Sequence, residues 1–188
     1  RMENAKIALL DSPLEVEKTE FAAKINTERP EQIETFLQEE ENMLRGMVEK
    51  IEKVGANVVI CQKGVDDVAQ HFLSRKGILV VQRAKESDMK KLAKATSGRA
   101  VTNLDDLKPE DLGFAELVEE RKIANDKMMF IEGCSNPRSV AILIRGGAQR
   151  MVDEAERSVH DALCVVRDVV QEPKILAGGG SPEMEVAK

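Results

Sequence analysis

Few side chains in this 188-residue chain have the type and spacing to do chemistry. Asp161 is one. Arg157 stands four residues before it, one helical turn away. Two readings are open. The pair is a solvated ion pair on a helix surface, worth roughly 0.2–0.5 kcal/mol. Alternatively, the carboxylate orients water at the terminal phosphate of a nucleotide. Gly178, Gly179 and Gly180 are the second candidate. Such a run is either a flexible connector or a place where backbone comes close to a nucleotide.

The soft ligands are sparse. Cys61, Cys134 and Cys164 lie far apart and form no CxxC pair. They read as buried free thiols of a reducing cytosol, which predicts a cytoplasmic protein. The histidines are His71 and His160. No metal site is assigned on so few ligands. His71 is expected to be a structural or surface histidine. The turn Gln62-Lys63-Gly64 follows a strand and precedes a helix, yet it lacks GxGxxG, and no GxxxxGK[ST] occurs in the chain. A nucleotide site inside this α/β unit is therefore not expected.

Composition narrows the partners. The formal net charge is −6, with 42% hydrophobic and 33% charged residues. A sequence-independent nucleic-acid binder needs a dense basic face, and an anionic membrane surface demands the same. Neither partner is expected. No apolar run is long enough to span a bilayer, and no signal-peptide pattern opens the chain. The chain starts on Arg1 just before a strand pattern and ends on Lys188 inside a helix pattern. Both ends are expected to be internal to a longer protein. There is no Trp or Tyr and only five Phe, so Val, Ile, Leu, Met and Ala must build the core.

The elements that would position these residues alternate. Residues 5–10 read as a buried strand, broken by Asp11-Ser12-Pro13,. Pro30 opens a long helix that runs to Val54 and stops at Gly55,. Within it Met43, Leu44, Met47, Val48, Ile51 and Val54 make one stripe,. Ile33, Phe36 and Leu37 form a separate cluster, cut off by Glu39-Glu40-Glu41. That cluster either packs on the body or forms an exposed apolar tip. Strands at 57–61, 78–81 and 99–102 alternate with helices at 65–75 and 87–96, the second capped by Ser87. This β-α-β-α-β order favours parallel pairing. Strands at 117–123 and 128–132 form an antiparallel hairpin around Asn125-Asp126,. Further strands are predicted at 140–144 and 175–177. A second long helix covers 149–170, and Ser181-Pro182 starts a last one. In the helix at 65–75, Val65, Val68, Ala69, Phe72 and Leu73 are expected to be mostly core, with Asp66, Gln70 and His71 on the outer edge.

Several ordered motifs then carry a family likeness. They include 6–11 with Pro13-Leu14-Glu15, 55–59 with Cys61-Gln62-Lys63-Gly64, and Ala69-Gln70-His71. Residues 85–95, Asp111-Leu112-Gly113, 118–122, Gly133-Cys134, 144–147, 153–157, 160–163 and 177–180 continue the series. Together they resemble the apical domain of group II chaperonins, the thermosomes and their eukaryotic cytosolic relatives, and its return through the intermediate domain. The likeness covers essentially the whole chain.

The resemblance implies an apical substrate-binding domain at 1–144, with a helical protrusion at about 26–54. An intermediate-domain fragment at 145–176 and the start of an equatorial segment at 177–188 would follow. The fold would be a layered α/β with parallel core strands, an antiparallel hairpin, the long protrusion and a long intermediate-domain helix. It implies a subunit of a double-ring, ATP-dependent folding chamber, its protrusion serving as a built-in lid. Unfolded polypeptides would meet Ile33, Phe36 and Leu37 on the protrusion and Val65, Ala69, Gln70, Phe72 and Leu73 on the cavity-facing helix. Homologous subunits would be the other partners. Asp161 would match the family's catalytic aspartate, and Gly178 and Gly179 its nucleotide contacts. ATP and Mg would act in the full-length protein only. The phosphate loop and magnesium ligands belong to an equatorial segment outside this chain, so no cofactor and no ATP hydrolysis are expected of it alone. One departure is Arg29, where relatives place a short polar cap; an Arg has no side-chain oxygen to cap with, so the first turn is expected to fray.

Two rival readings remain from the residues themselves. One is a small-molecule-binding α/β domain or enzyme that uses the parallel strand ends. The other is a purely structural ring-contact module.

Overall fold

The structure is a computed structural model that describes residues 1–16, 30–136 and 139–188, without the side chains of 30–36. It divides into two compact units, Arg1–Val140 and Ala141–Lys188.

The first unit is built around one strand. β1 (Met2–Leu10) pairs in parallel with β2 (Val58–Cys61), placing Ile7 beside Val58 and Leu10 beside Cys61. β3 (Leu79–Val81) extends the parallel run beyond β2. On the other side β1 pairs antiparallel with β5 (Gly113–Ile123), which forms a hairpin with β6 (Asp126–Cys134). The sheet order is β3-β2-β1-β5-β6, and the two-residue strand β4 (Ala100–Val101) pairs in parallel with the end of β1.

Side chains of β1 and β2 point alternately to two cores. Ala8, Leu10, Val59 and Cys61 meet α1 (Pro30–Val54) and α2 (Asp67–Arg75). Ala5, Ile7, Leu9, Val58 and Ile60 meet Met89 of α3 (Glu86–Thr96) and Ala115 and Val118 of β5. Both faces are covered over residues 7–10 of β1 and over β2, so these stretches read as unbroken apolar runs rather than as an alternation,. The result is three layers: α1 and α2, the sheet, and α3.

Among the described side chains of α1, burial begins at Leu44. Leu44, Val48 and Ile51 are buried, at the i, i+4, i+7 spacing of one face,. One turn before Leu44 that face carries Glu40 and Glu41. Carboxylates do not enter an apolar core unpaired, so that turn stays out of it. Helix backbone nevertheless continues from Leu44 back to Pro30, about 20 Å at the usual rise,. Ion pairs fix the packed half. Lys50 binds Asp105, in a 3-10 turn at Leu104–Asp106, and Glu52 binds Lys76 just after α2, at 2.9 Å.

The structure corrects several expectations. α3 begins at Glu86, with Lys85 rather than Ser87 at the cap position and no side-chain cap bond. The hairpin turns on Ala124-Asn125, since Ile123 pairs with Asp126. Residues 140–144 and 175–177 are not strands. Val140 and Ile175 are 85% and 87% exposed. β-forming residues make a strand only where a neighbour accepts their hydrogen bonds, and no described strand pairs with either run,.

The second unit holds α4 (Gln149–Gln171) and α5 (Ser181–Val186). The expected apolar stripe of α4 is present, but Leu163, Val166 and Val170 are exposed.

Two substitutions test the first unit. A Cβ added at Gly113 would stand 2.2 Å from the hydroxyl of buried Thr96 and 2.6 Å from its Cβ. Gly113→Ala is expected to destabilise the chain by about 1–3 kcal/mol in denaturant unfolding. Ala124 holds φ at 56°, a left-handed backbone that is costly for a residue with a Cβ,. Ala124→Gly is expected to raise stability by about 1 kcal/mol, read as a higher melting temperature.

Candidate functional site

α2 stands exposed on one side and buried on the other, and its sequence explains why. Asp66 caps it by accepting a hydrogen bond from the Val68 amide at 2.8 Å,. Ala69 and Leu73, one turn apart, fall on the inner face and are buried. Val65, just before the helix, is buried as well and forms a bridge with Leu14. These three residues brace the helix from behind. The outer face presents Gln70 and His71, both exposed, and half-buried Phe72. Val68 joins them at 42% exposure, although helical spacing assigns it to the core. It precedes Phe72 by one turn, so the two share a face. A valine at the margin of a stripe gives no sign in sequence of which way it turns.

α1 meets this surface. The Arg45 guanidinium carbon lies 5.3 Å from the centre of the Phe72 ring, within cation–π range,. Arg45 Nη2 also donates to Glu41 Oε1 at 3.1 Å. Further along α1, Leu37 is 59% exposed. The side chains of Ile33 and Phe36 lie outside the described residues, as does Arg29 and the early part of the expected protrusion at 26–29.

The carboxylate and glycine candidates occupy the second unit. Asp161 is exposed on α4 and pairs loosely with Arg157 at 3.8 Å, while Arg157 binds Glu154 at 2.7 Å. Gly178 has no atom within 4 Å of a built Cβ, and Gly179 and Gly180 take positive φ before α5. A nucleotide needs several donors around its phosphates and carboxylates around its cation. Among the described residues no group of three or more His, Cys, Asp and Glu is placed to hold a metal ion. By themselves Asp161, Gly178 and Gly179 do not make a nucleotide site.

At the strand ends, where an open parallel sheet takes small ligands, the connecting loops are tied to the strands and to one another by backbone hydrogen bonds,. Gln62 donates to the Leu10 carbonyl, Leu14 to Gly64, Arg83 to Lys63 and Ala84 to Cys61. A separate cleft of about 570 Å³ lies at the far end of α3, lined by Lys91, Lys94, Ser97 and Asn136 among others. No helix among the described residues is long and apolar enough to cross a membrane.

A three-layer α/β body with a long helix continuing past its packed half, followed by a second long helix, is chaperonin apical and intermediate-domain architecture. The structure is similar to the open-state monomer of a group II chaperonin from Methanococcoides burtonii. The TM-score is 0.80 at 39% identity, covering 98% of this chain and 40% of that one. In sequence it is 63% identical over 188 residues to the thermosome subunit beta of Desulfurococcus mucosus, covering 38% of that protein. It is 60% identical to the thermosome subunit of Methanopyrus kandleri, covering 34% of it. The TCP-1/cpn60 chaperonin family model matches residues 1–188. The chain belongs to that family, on its thermosome, group II side. It spans somewhat over a third of the length of these two curated relatives. The family is one of ATP-dependent protein folding, with double-ring oligomers that bind unfolded substrates.

The thiols differ from expectation. Cys61 is buried, whereas Cys134 and Cys164 are only half-buried. Burial pushes the Cys61 thiol up from its ordinary value, and the carboxylates of Glu15 and Asp11 add to the rise against opposing backbone hydrogen bonds. Cys134 is raised by burial alone. A thiol reagent at neutral pH is expected to modify Cys164 in the folded chain and to leave Cys61 unmodified until denaturant is added. Peptide mass mapping checks this, and early labelling of Cys61 would contradict its burial between the sheet and α2.

Proposed function

We propose that this chain is the client-capturing and lid-forming part of an ATP-dependent folding chaperonin. In this reading residues 1–144 are the apical domain, with the protrusion at about 26–54. Residues 145–176 belong to the intermediate domain, and 177–188 begin an equatorial segment. Unfolded polypeptides bind the apolar end of α1 and the outer face of α2. In the double ring, homologous subunits bring several such surfaces to one chamber, and the α1 ends close it. The work takes place in the cytoplasm.

The observation that carries the reading is that α1 keeps its helix back to Pro30 while Leu37, upstream of the buried Leu44, stands 59% exposed. An apolar side chain gains roughly 1.5–3 kcal/mol on burial. A few such contacts, offset by the entropy of association, give weak and unselective binding. Repetition around a ring converts that to firm capture. A surface suited to many unfolded sequences needs those properties.

Asp161 acts in the full-length protein by orienting water at the nucleotide, with Gly178 and Gly179 against the nucleotide itself. ATP and Mg are then held mainly by residues of the rest of the subunit. What this chain supplies is position: α4 fixes Asp161 on a rigid helix.

The test is a triple substitution, Ile33→Ala, Phe36→Ala and Leu37→Ala. The chain is expected to keep its melting temperature within a few degrees, because the buried stripe starts at Leu44. Suppression of aggregation of a denatured protein, read by light scattering, is expected to fall severalfold. Unchanged suppression, together with unchanged ring closure when the changes are placed in a full-length subunit, would refute the assignment.

A further inference from the structure

The outer face of α2 carries a cation on its apolar surface. Arg45 of α1 covers one face of the Phe72 ring at 5.3 Å. Val68, a turn earlier, offers open apolar area beside it. The Arg45 side chain is itself 54% exposed, and its partner Glu41 is 48% exposed. Lys76 is taken up by Glu52, and the Asp66 carboxylate by the Val68 amide. Among the described residues Arg45 is the cation that touches the apolar part of this face.

We propose that Arg45 sets the specificity of the α2 surface, selecting polypeptide segments in which a large apolar side chain has a carboxylate as its neighbour. The proposal rests on the capture reading above. The apolar side chain of the segment contacts Val68 and Phe72. Its neighbouring carboxylate then takes the place of Glu41 on the guanidinium. Exposed ion pairs of this kind are weak, so one carboxylate exchanges for another at little cost. The guanidinium has five donors in one plane, and the bond to Glu41 uses one of them,. A basic segment meets the same apolar area with a cation already on it. The difference between the two segments is a local charge preference on an otherwise unselective surface.

Methionine at position 45 keeps apolar cover over Phe72 and removes the charge. The experiment is fluorescence anisotropy on the whole 188-residue chain with two labelled peptides. Both carry the same leucine and phenylalanine positions; one has glutamate beside them and the other lysine. The quantity read is the ratio of the two affinities, in Arg45→Met against Lys90→Met, a substitution of equal charge on α3. The glutamate-to-lysine ratio is expected to fall about two- to fivefold in Arg45→Met relative to Lys90→Met. In Arg45→Glu it is expected to fall further. High salt is expected to shrink the difference between variants. Thermal melts confirm folding, and Arg45→Glu gives a second readout should the methionine variant not fold. If both peptides bind and the ratio is the same in all variants, Arg45 has no such role and the capture reading stands. If the unaltered chain binds neither peptide nor a denatured protein, both readings fall together.

Discussion

The double burial of β1 over residues 7–10 is the constraint on which the rest depends. Its residues face α1 and α2 on one side and α3 on the other, while β2, β4 and β5 share its edges. A strand with no free face has no alternative register, because a slip of one residue would send every side chain into the wrong core. The parallel and antiparallel halves of the sheet are therefore locked to the same nine residues. Everything the chain displays to a partner is held in place from there: α2 through Ala69 and Leu73, α1 through Leu44, Val48 and Ile51.

Much of this was legible in the sequence because local and tertiary signals agreed. Pro30 and Gly55 bracket α1, and the heavy apolar runs at β1 and β2 mark strands covered on both faces. The places that failed share a cause. Residues 140–144 and 175–177 have strand composition, but a strand is a property of two segments, and composition describes only one. Lys85 stands at the α3 cap position although Ser87 is the better capping residue, because the preceding turn already fixes where the helix begins, through the Ala84 amide bonded to Cys61. Helical spacing places Val65, Ala69 and Leu73 among core residues, and they are buried. In α1 the glutamates at 39–41 stay out of the core, and Leu44 is the first buried residue among the described side chains of the helix.

Exposed apolar surface and folding core are thus separate sets of residues on the same helices. α1 and α2 each give one side to stability and leave another to solvent. A binder of unfolded chains needs apolar surface that does not bury itself. Acidic residues on α1 and capping and polar residues on α2 keep that surface open. The Arg45 guanidinium over Phe72 serves similarly, shielding an aromatic ring with a group that remains hydrated,.

The abrupt end of packing at Leu44 has an evolutionary corollary. Most of the described side chains just upstream of it, over 37–43, are exposed, so substitutions there are expected to be largely silent to folding. Residues downstream answer to the core and tolerate little change. One continuous helix therefore accumulates mutations at two tempos, slow where it faces the core and faster over 37–43, where new preferences can be explored while the same chain goes on folding as before.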